Sequence, residues 1–146
     1  MTGEPGVVAM TSKLGILSDP HASVEPLEAA LAVFRQQGVE QILCAGDIAA
    51  YGDALEETVG LLKENDCVSV VGNHDVWYLE ENSLEDKPQT YSYLAQLPLY
   101  KELSVAGKSL YMVHASPPDS LMDGIRLLDE GGVIVDDMRK SWAKRL

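Results

Sequence analysis

The chain has 146 residues, a hydrophobic fraction of 46% and a formal net charge of −12 at pH 7. Size and composition suit one globular domain with one core and exclude a disordered chain. The acidic balance excludes broad sequence-independent binding to nucleic acid, which needs a basic surface, and no apolar run is long enough to span a membrane.

Residues 1–12 carry no charged-then-apolar targeting pattern and read as a flexible leader, with Met10 as an alternative start; a single domain is expected over 13–146. Lys13–Asp19 reads as the first strand. Ser23 is placed to cap the helix that follows, Glu25 and Glu28 favour its first turns, and Pro26 is acceptable so early in a helix. Leu27, Ala30, Leu31 and Phe34 recur at helical spacing until Gly38 stops the helix. Gln41–Asp47 reads as a second strand, Asp53–Asn65 as a second helix with the stripe Leu55, Val59 and Leu62, and Cys67–Asn73 as a third strand. Gly72-Asn73-His74-Asp75 reads as a turn. Cys44 and Cys67 fit no zinc spacing and read as buried reduced thiols, so a soluble cytoplasmic protein is expected.

Strand, helix, strand, helix, strand implies parallel strands with crossover helices. Right-handed crossovers place all three strand ends on one edge of the sheet, where open α/β sheets build their sites. Downstream, Glu80–Gln89 reads as a loop or lid and Thr90–Gln96 as a short helix. Tyr100–Ala106 and Lys108–Val113 read as a hairpin about Gly107, which makes the sheet mixed. Trp77, Tyr78, Tyr91 and Tyr93 read as core or lid packing, with stacking on a nucleobase as the alternative. A last helix starts at Asp136 or Asp137, carries the stripe Met138, Trp142 and Leu146, and meets no stop signal.

The chemistry gathers at the strand ends. All three histidines, His21, His74 and His114, lie there beside Asp19, Asp47, Asn73 and Asp75. Mixed aspartate, histidine and asparagine donors favour manganese, iron(II), zinc, cobalt or magnesium, and the lack of suitable thiolates excludes a structural zinc site. One carboxylate bridging two ions is the usual arrangement for phosphoester hydrolysis. The residues alone do not separate the ligands from a proton-donating histidine.

The ordered segments DPH, GDIAAYGD, GNHD and VHASP, spread over Lys13 to Pro118, resemble those of the calcineurin-like metallophosphoesterases, most closely the small bacterial phosphodiesterase branch. The resemblance implies an α/β/β/α sandwich with mixed sheets and a dimetal centre at the strand ends. It implies that Asp19 and His21 bind the first metal, Asp47 bridges both, and Asn73 and His114 bind the second. It makes His74 the phosphate-binding, proton-donating histidine, oriented by Asp75. The implied cofactors are two divalent ions, with manganese first and iron, zinc, cobalt, nickel or magnesium as alternatives. The implied reaction is hydrolysis of a small phosphodiester or phosphomonoester by a dimetal-activated hydroxide, with no membrane partner and with a homo-oligomer as one option.

Three departures stand out. Ala22 and Ser23 replace the family's Gly and Asn after the first histidine, and Ala115 replaces a Gly. The closing Gly-His-x-His motif is absent, since no histidine follows His114. The expectation is therefore a C-terminally incomplete domain that lacks its closing strands and has three protein ligands for each metal. An impaired or truncated enzyme and a non-catalytic interaction module on the same fold are the competing readings.

Overall fold

The computed structural model of the chain describes residues 6–7 and 13–144. In chain order the elements are β1 (Gly6–Val7), β2 (Leu14–Leu17), α1 (Val24–Gln36), β3 (Gln41–Cys44), α2 (Leu55–Glu64), β4 (Val68–Ser69), α3 (Asn73–Glu81), α4 (Pro88–Ala95), β5 (Tyr100–Val105), β6 (Lys108–Val113) and α5 (Asp136–Ala143). Within the expected leader, Gly6–Val7 pair in parallel with β5, and residues 1–5 and 8–12 lie outside the described residues. Residue 146 of the last expected stripe lies outside them too, as do the side chains of Met138 and Trp142.

The strands form two three-stranded sheets. One is parallel, in the order β2-β3-β4; the other is mixed, in the order β1-β5-β6, with β5 and β6 antiparallel through Leu103↔Leu110. The hairpin about Gly107 thus forms where the sequence places it, but in a sheet of its own. Leu43, Val70, Leu103 and Met112 bury the space between the sheets, flanked by Leu14, Ala45, Val68, Val105 and Leu110. On the other face of the parallel sheet, α1, α2 and α4 contribute Leu27, Leu31, Val59, Leu62 and Leu94 around Cys44 and Ile48. Each helix buries one apolar stripe, the ordinary solution for an amphipathic element. Together these layers give the mixed α/β sandwich that the sequence implies.

Three expectations need correction. Ser23 does occupy the N-cap position of α1, but its hydroxyl donates to the His21 carbonyl at 3.1 Å and accepts no amide N–H from the helix. Gly72-Asn73-His74-Asp75 is no turn: Gly72 is the N-cap of α3, and Asn73 is its first residue. The expected loop over Glu80–Gln89 is shorter than that: its two ends belong to α3 and α4, and residues 82–87 form the loop. The loop is closed locally by the Ser83 amide and hydroxyl, both donating to Asp86, and its end is tied to α2 by the Lys87–Glu56 ion pair at 3.3 Å.

Both cysteines are free thiols, with Cys44 buried and Cys67 half-buried. Burial pushes Cys44 up from the ordinary 9.0 to about 12 and Cys67 to about 11. Above pH 9 the unfolded chain gives up these protons first. Folding stability should therefore fall as pH rises from about 9 towards 11, the sign expected when the unfolded state binds fewer protons. Urea midpoints between pH 7 and 10, compared with those of a Cys44→Ala, Cys67→Ala variant, measure that loss. A midpoint that rises with pH in this range, relative to the variant, would contradict it.

Candidate metal centre

The loops after β2 and β3 and the start of α3 build one site. The first two are zipped together by backbone: the Asp19 amide donates to the Gly46 carbonyl at 2.9 Å, His21 to Asp47 at 3.1 Å, and Ala22 to Ile48 at 2.7 Å. Asp19 (φ 56°), His21 (φ 43°), Ala22 (φ 52°), Asp47 (φ 55°), Ala50 (φ 78°) and Tyr51 (φ 62°) all occupy the left-handed region. That region is uncommon for residues with a Cβ, and it clusters where function over-determines the backbone. It also explains why the strands end before the candidate ligand residues.

Asp47 is the hub. Its side chain is 5% exposed, and Oδ2 lies 3.4 Å from His114 Nε2, 3.9 Å from His21 Nε2 and 4.0 Å from His74 Nε2. Oδ1 accepts the His74 backbone N–H at 3.0 Å, so the positive end of α3 faces this carboxylate. Asp19 Oδ1 stands 3.5 Å from His21 Nε2, while its Oδ2 accepts a hydrogen bond from the Ser18 hydroxyl.

Two backbone carbonyls fix the histidine tautomers. His21 Nδ1 lies 2.8 Å from the Ala49 carbonyl, and His114 Nδ1 lies 2.7 Å from the Ala45 carbonyl. A carbonyl only accepts, so each Nδ1 carries the proton, and in the neutral rings each Nε2 turns a bare lone pair inward. This is the usual outer support of a metal-binding histidine. His114 Nε2 also stands 3.1 Å from Asn73 Oδ1. In the neutral ring His114 Nε2 thus converges with Asn73 Oδ1 and Asp47 Oδ2 as three acceptors, a set that a cation satisfies. Ligand atoms of Asp19, Asp47 and His114 also lie within 4.8 Å of one another. The donor set fits a divalent ion with mixed oxygen and nitrogen preference.

Asp75 is fully buried and works through the backbone. One oxygen accepts the Ile48 and Ala49 amides, each at 2.8 Å, and the other accepts the Gly72 amide at 2.8 Å. Burial raises its pKa, and these three donors hold it down. It joins the start of α3 to the loop behind Asp47. Its hydrogen bonds run to backbone amides on both sides of the junction. His74 meets Tyr51, whose hydroxyl is 3.3 Å from Nε2, and packs edge-on against Trp77 with ring centroids 4.7 Å apart.

The structure therefore brings together all seven expected residues: Asp19, His21, Asp47, Asn73, His74, Asp75 and His114. Sequence reasoning missed Tyr51, Ser18 and the Ala45 and Ala49 carbonyls. Carbonyl supports leave no mark on side-chain identity. Tyr51 stands two residues beyond the Ile48-Ala49 pair that Asp75 holds, in a stretch whose only sequence signal is the Tyr-Gly pair after Asp47.

Comparison with known proteins points the same way. Residues 13–135 match the model of the calcineurin-like phosphoesterase superfamily domain. An uncharacterised protein of Methanocaldococcus jannaschii is 34% identical over 122 residues, covering 73% of this chain and 50% of that protein. A metallophosphoesterase structure from Sphaerobacter thermophilus superposes with a TM-score of 0.61 at 28% identity, covering 77% of this chain and 50% of the other. The structure of the E. coli phosphoesterase Yfce shares the fold, with a TM-score of 0.53 at 23% identity, over 74% of this chain and 61% of that one. The chain thus spans about half the length of the curated relative it matches. With its sheets, its strand-end cluster and its match over residues 13–135, the chain belongs to the calcineurin-like phosphoesterase superfamily.

Proposed function

We propose that the chain is a divalent-metal-dependent phosphoesterase that hydrolyses small phosphodiesters or phosphomonoesters. In this reading Asp19 and His21 hold one ion, Asn73 and His114 hold a second, and Asp47 is shared. The observation that carries it is the convergence of Asn73 Oδ1 and Asp47 Oδ2 on His114 Nε2, at 3.1 and 3.4 Å. When bound, a pair of divalent ions supplies Lewis acidity and lowers the pKa of water at neutral pH.

The chain's own residues do the rest. The carbonyls of Ala45 and Ala49 hold His114 and His21 in the ligand tautomer. Asp75 locks the start of α3 against the Ile48-Ala49 backbone, which aims Asn73 and His74 from adjacent positions of one rigid turn. His74 is the one of the three histidines whose ring is given no carbonyl partner; its Nε2 meets the Tyr51 hydroxyl at 3.3 Å beside Asp47, which suits it to contact the phosphate and to pass a proton to the leaving oxygen. Manganese is the first choice of ion because the donors mix carboxylate, amide and imidazole without thiolate. Two unpaired cysteines suit a reducing cytoplasm.

The test is hydrolysis of bis(4-nitrophenyl) phosphate and 4-nitrophenyl phosphate by metal-stripped protein, with manganese, iron(II), zinc, cobalt, nickel or magnesium added back. Stimulation by at least one ion, reversed by a chelator, is expected. Folded protein that no divalent ion stimulates would sink the proposal.

A further inference from the structure

Two large aromatic rings stand at the mouth of the site and belong to neither buried cluster. Tyr51 is 83% exposed, yet its ring lies 4.7 Å from that of His21 and 4.9 Å from that of His74. Trp77 is 43% exposed and 4.7 Å from His74. The other aromatic residues of this region are packed differently: Tyr93 is buried with its hydroxyl 3.1 Å from Ser69 Oγ, and Tyr78 sides with the helical core.

Both rings are presented by firm backbone. Trp77 follows His74 by three positions on α3 and Asn73 by four, so the helix sets it on the same side as both. Tyr51 sits in the left-handed region, followed by Gly52, whose amide donates to the His21 carbonyl at 3.1 Å. A Cβ at Gly52 would stand 2.3 Å from the Ala22 carbonyl oxygen, so only glycine lets this turn lie flat on the loop of the first ligands. A strained turn that holds an aromatic ring in water beside a reactive histidine contributes nothing to the core. Tyr and Trp rings exposed in this way are the usual platform for a planar ligand.

We infer that Tyr51 and Trp77 form an aromatic rim that binds the planar aromatic part of the ester's leaving group, either a nucleobase or an aryl ring. This rests on the phosphoesterase reading, because it takes His74 as the group beside the departing oxygen. The formal charge of −12 disfavours a long polyanion, so the nucleobase would belong to a mononucleotide-sized ester.

Tryptophan emission tests the rim directly. The chain has two tryptophans, so a Trp142→Phe background leaves Trp77 as the reporter. AMP, phenyl phosphate and ribose 5-phosphate are titrated with and without manganese. Saturable quenching by AMP or by phenyl phosphate, and not by ribose 5-phosphate, is expected. Quenching by AMP alone assigns the rim to nucleosides, and quenching by phenyl phosphate alone assigns it to aryl esters. Tyr51→Ala should weaken binding of the quenching ligand by about tenfold, and Tyr51→Phe should restore it, the size expected for one stacking contact. Circular dichroism of each variant checks that the fold persists. If aromatic and ribose phosphates bind equally, or Tyr51→Ala weakens both alike, the rim is overturned while the phosphoesterase reading stands. If none of the three binds and no ester is hydrolysed, both fall.

Discussion

Asp47→Ala should lower kcat/KM for a nitrophenyl phosphodiester by about 1,000-fold or more. Loss of a single well-placed charge-stabilising group already costs roughly 100- to 1,000-fold, and outer supports of a metal site alone are worth about 10- to 100-fold in affinity. Asp47 combines both kinds of contribution. Its Oδ2 faces three imidazoles at 3.4–4.0 Å, and its Oδ1 anchors the His74 amide. The decisive measurement is metal content after dialysis, read by plasma mass spectrometry beside the rate. The variant should retain far less manganese than the parent. Asp47→Asn keeps the shape and removes the charge, so it should fall nearly as far. Parental metal content together with a parental rate in either variant would remove Asp47 from the centre of the site.

Gly72→Ala should destabilise the fold by about 3 kcal/mol, the upper part of the range for forcing an extra methyl into a packed region. A Cβ at this position would lie 2.0 Å from Asp47 Oδ1 and 2.2 Å from the Asp47 amide nitrogen. Neither is the loose end of a flexible side chain, since Asp47 is buried and its Oδ1 is held by the His74 amide. Gly46 (φ 97°) meets the same junction from the other side, with a built Cβ 2.7 Å from the Gly72 nitrogen. For a chain of this size the thermal midpoint should drop by roughly 6–12 °C. Gly60→Ala is the control: it lies inside α2 with nothing within 4 Å of a built Cβ, and it should raise stability by up to about 1 kcal/mol. If the two variants melt alike, the close approach of the two strand ends is not what requires glycine.

The parallel strand-helix-strand order was legible because Leu27, Leu31, Val59 and Leu62 repeat at a helical period between short apolar runs, and all four are buried. The convergence of the candidate site residues followed from topology, since right-handed crossovers leave little freedom for strand ends. The start of α3 was not legible. Gly72 is a weak cap, and Asn73-His74-Asp75 begins the helix with residues of low helical preference. The one available signal was Asp75 at the third helical position, which reaches back to the Gly72 amide as in half of a capping box. The second sheet was implied by the family resemblance but was not legible from periodicity. A hairpin pattern fixes which strands pair with each other, whereas its partner β1 lies in a stretch of two paired residues too short to carry a period. The partners of Asp75 were not legible for a related reason: they are backbone amides, which every sequence has.

The carbonyl supports of His21 and His114 bear on how this site can change over evolutionary time. The Ala45 and Ala49 carbonyls belong to the main chain, so no side-chain exchange at those positions deletes the acceptor that aims each imidazole. At Ala49, which is fully buried, side-chain size is limited by packing and not by the acceptor role. The path of the loop is guarded by Gly46, Gly72 and the buried Asp75, three positions where few replacements fit. Mutational sensitivity is thus displaced from the residues that touch the ligands to those that shape the loop. An engineer seeking to retune the centre would find little purchase at Ala45 and Ala49, and would have to alter the ligands themselves or the course of the chain.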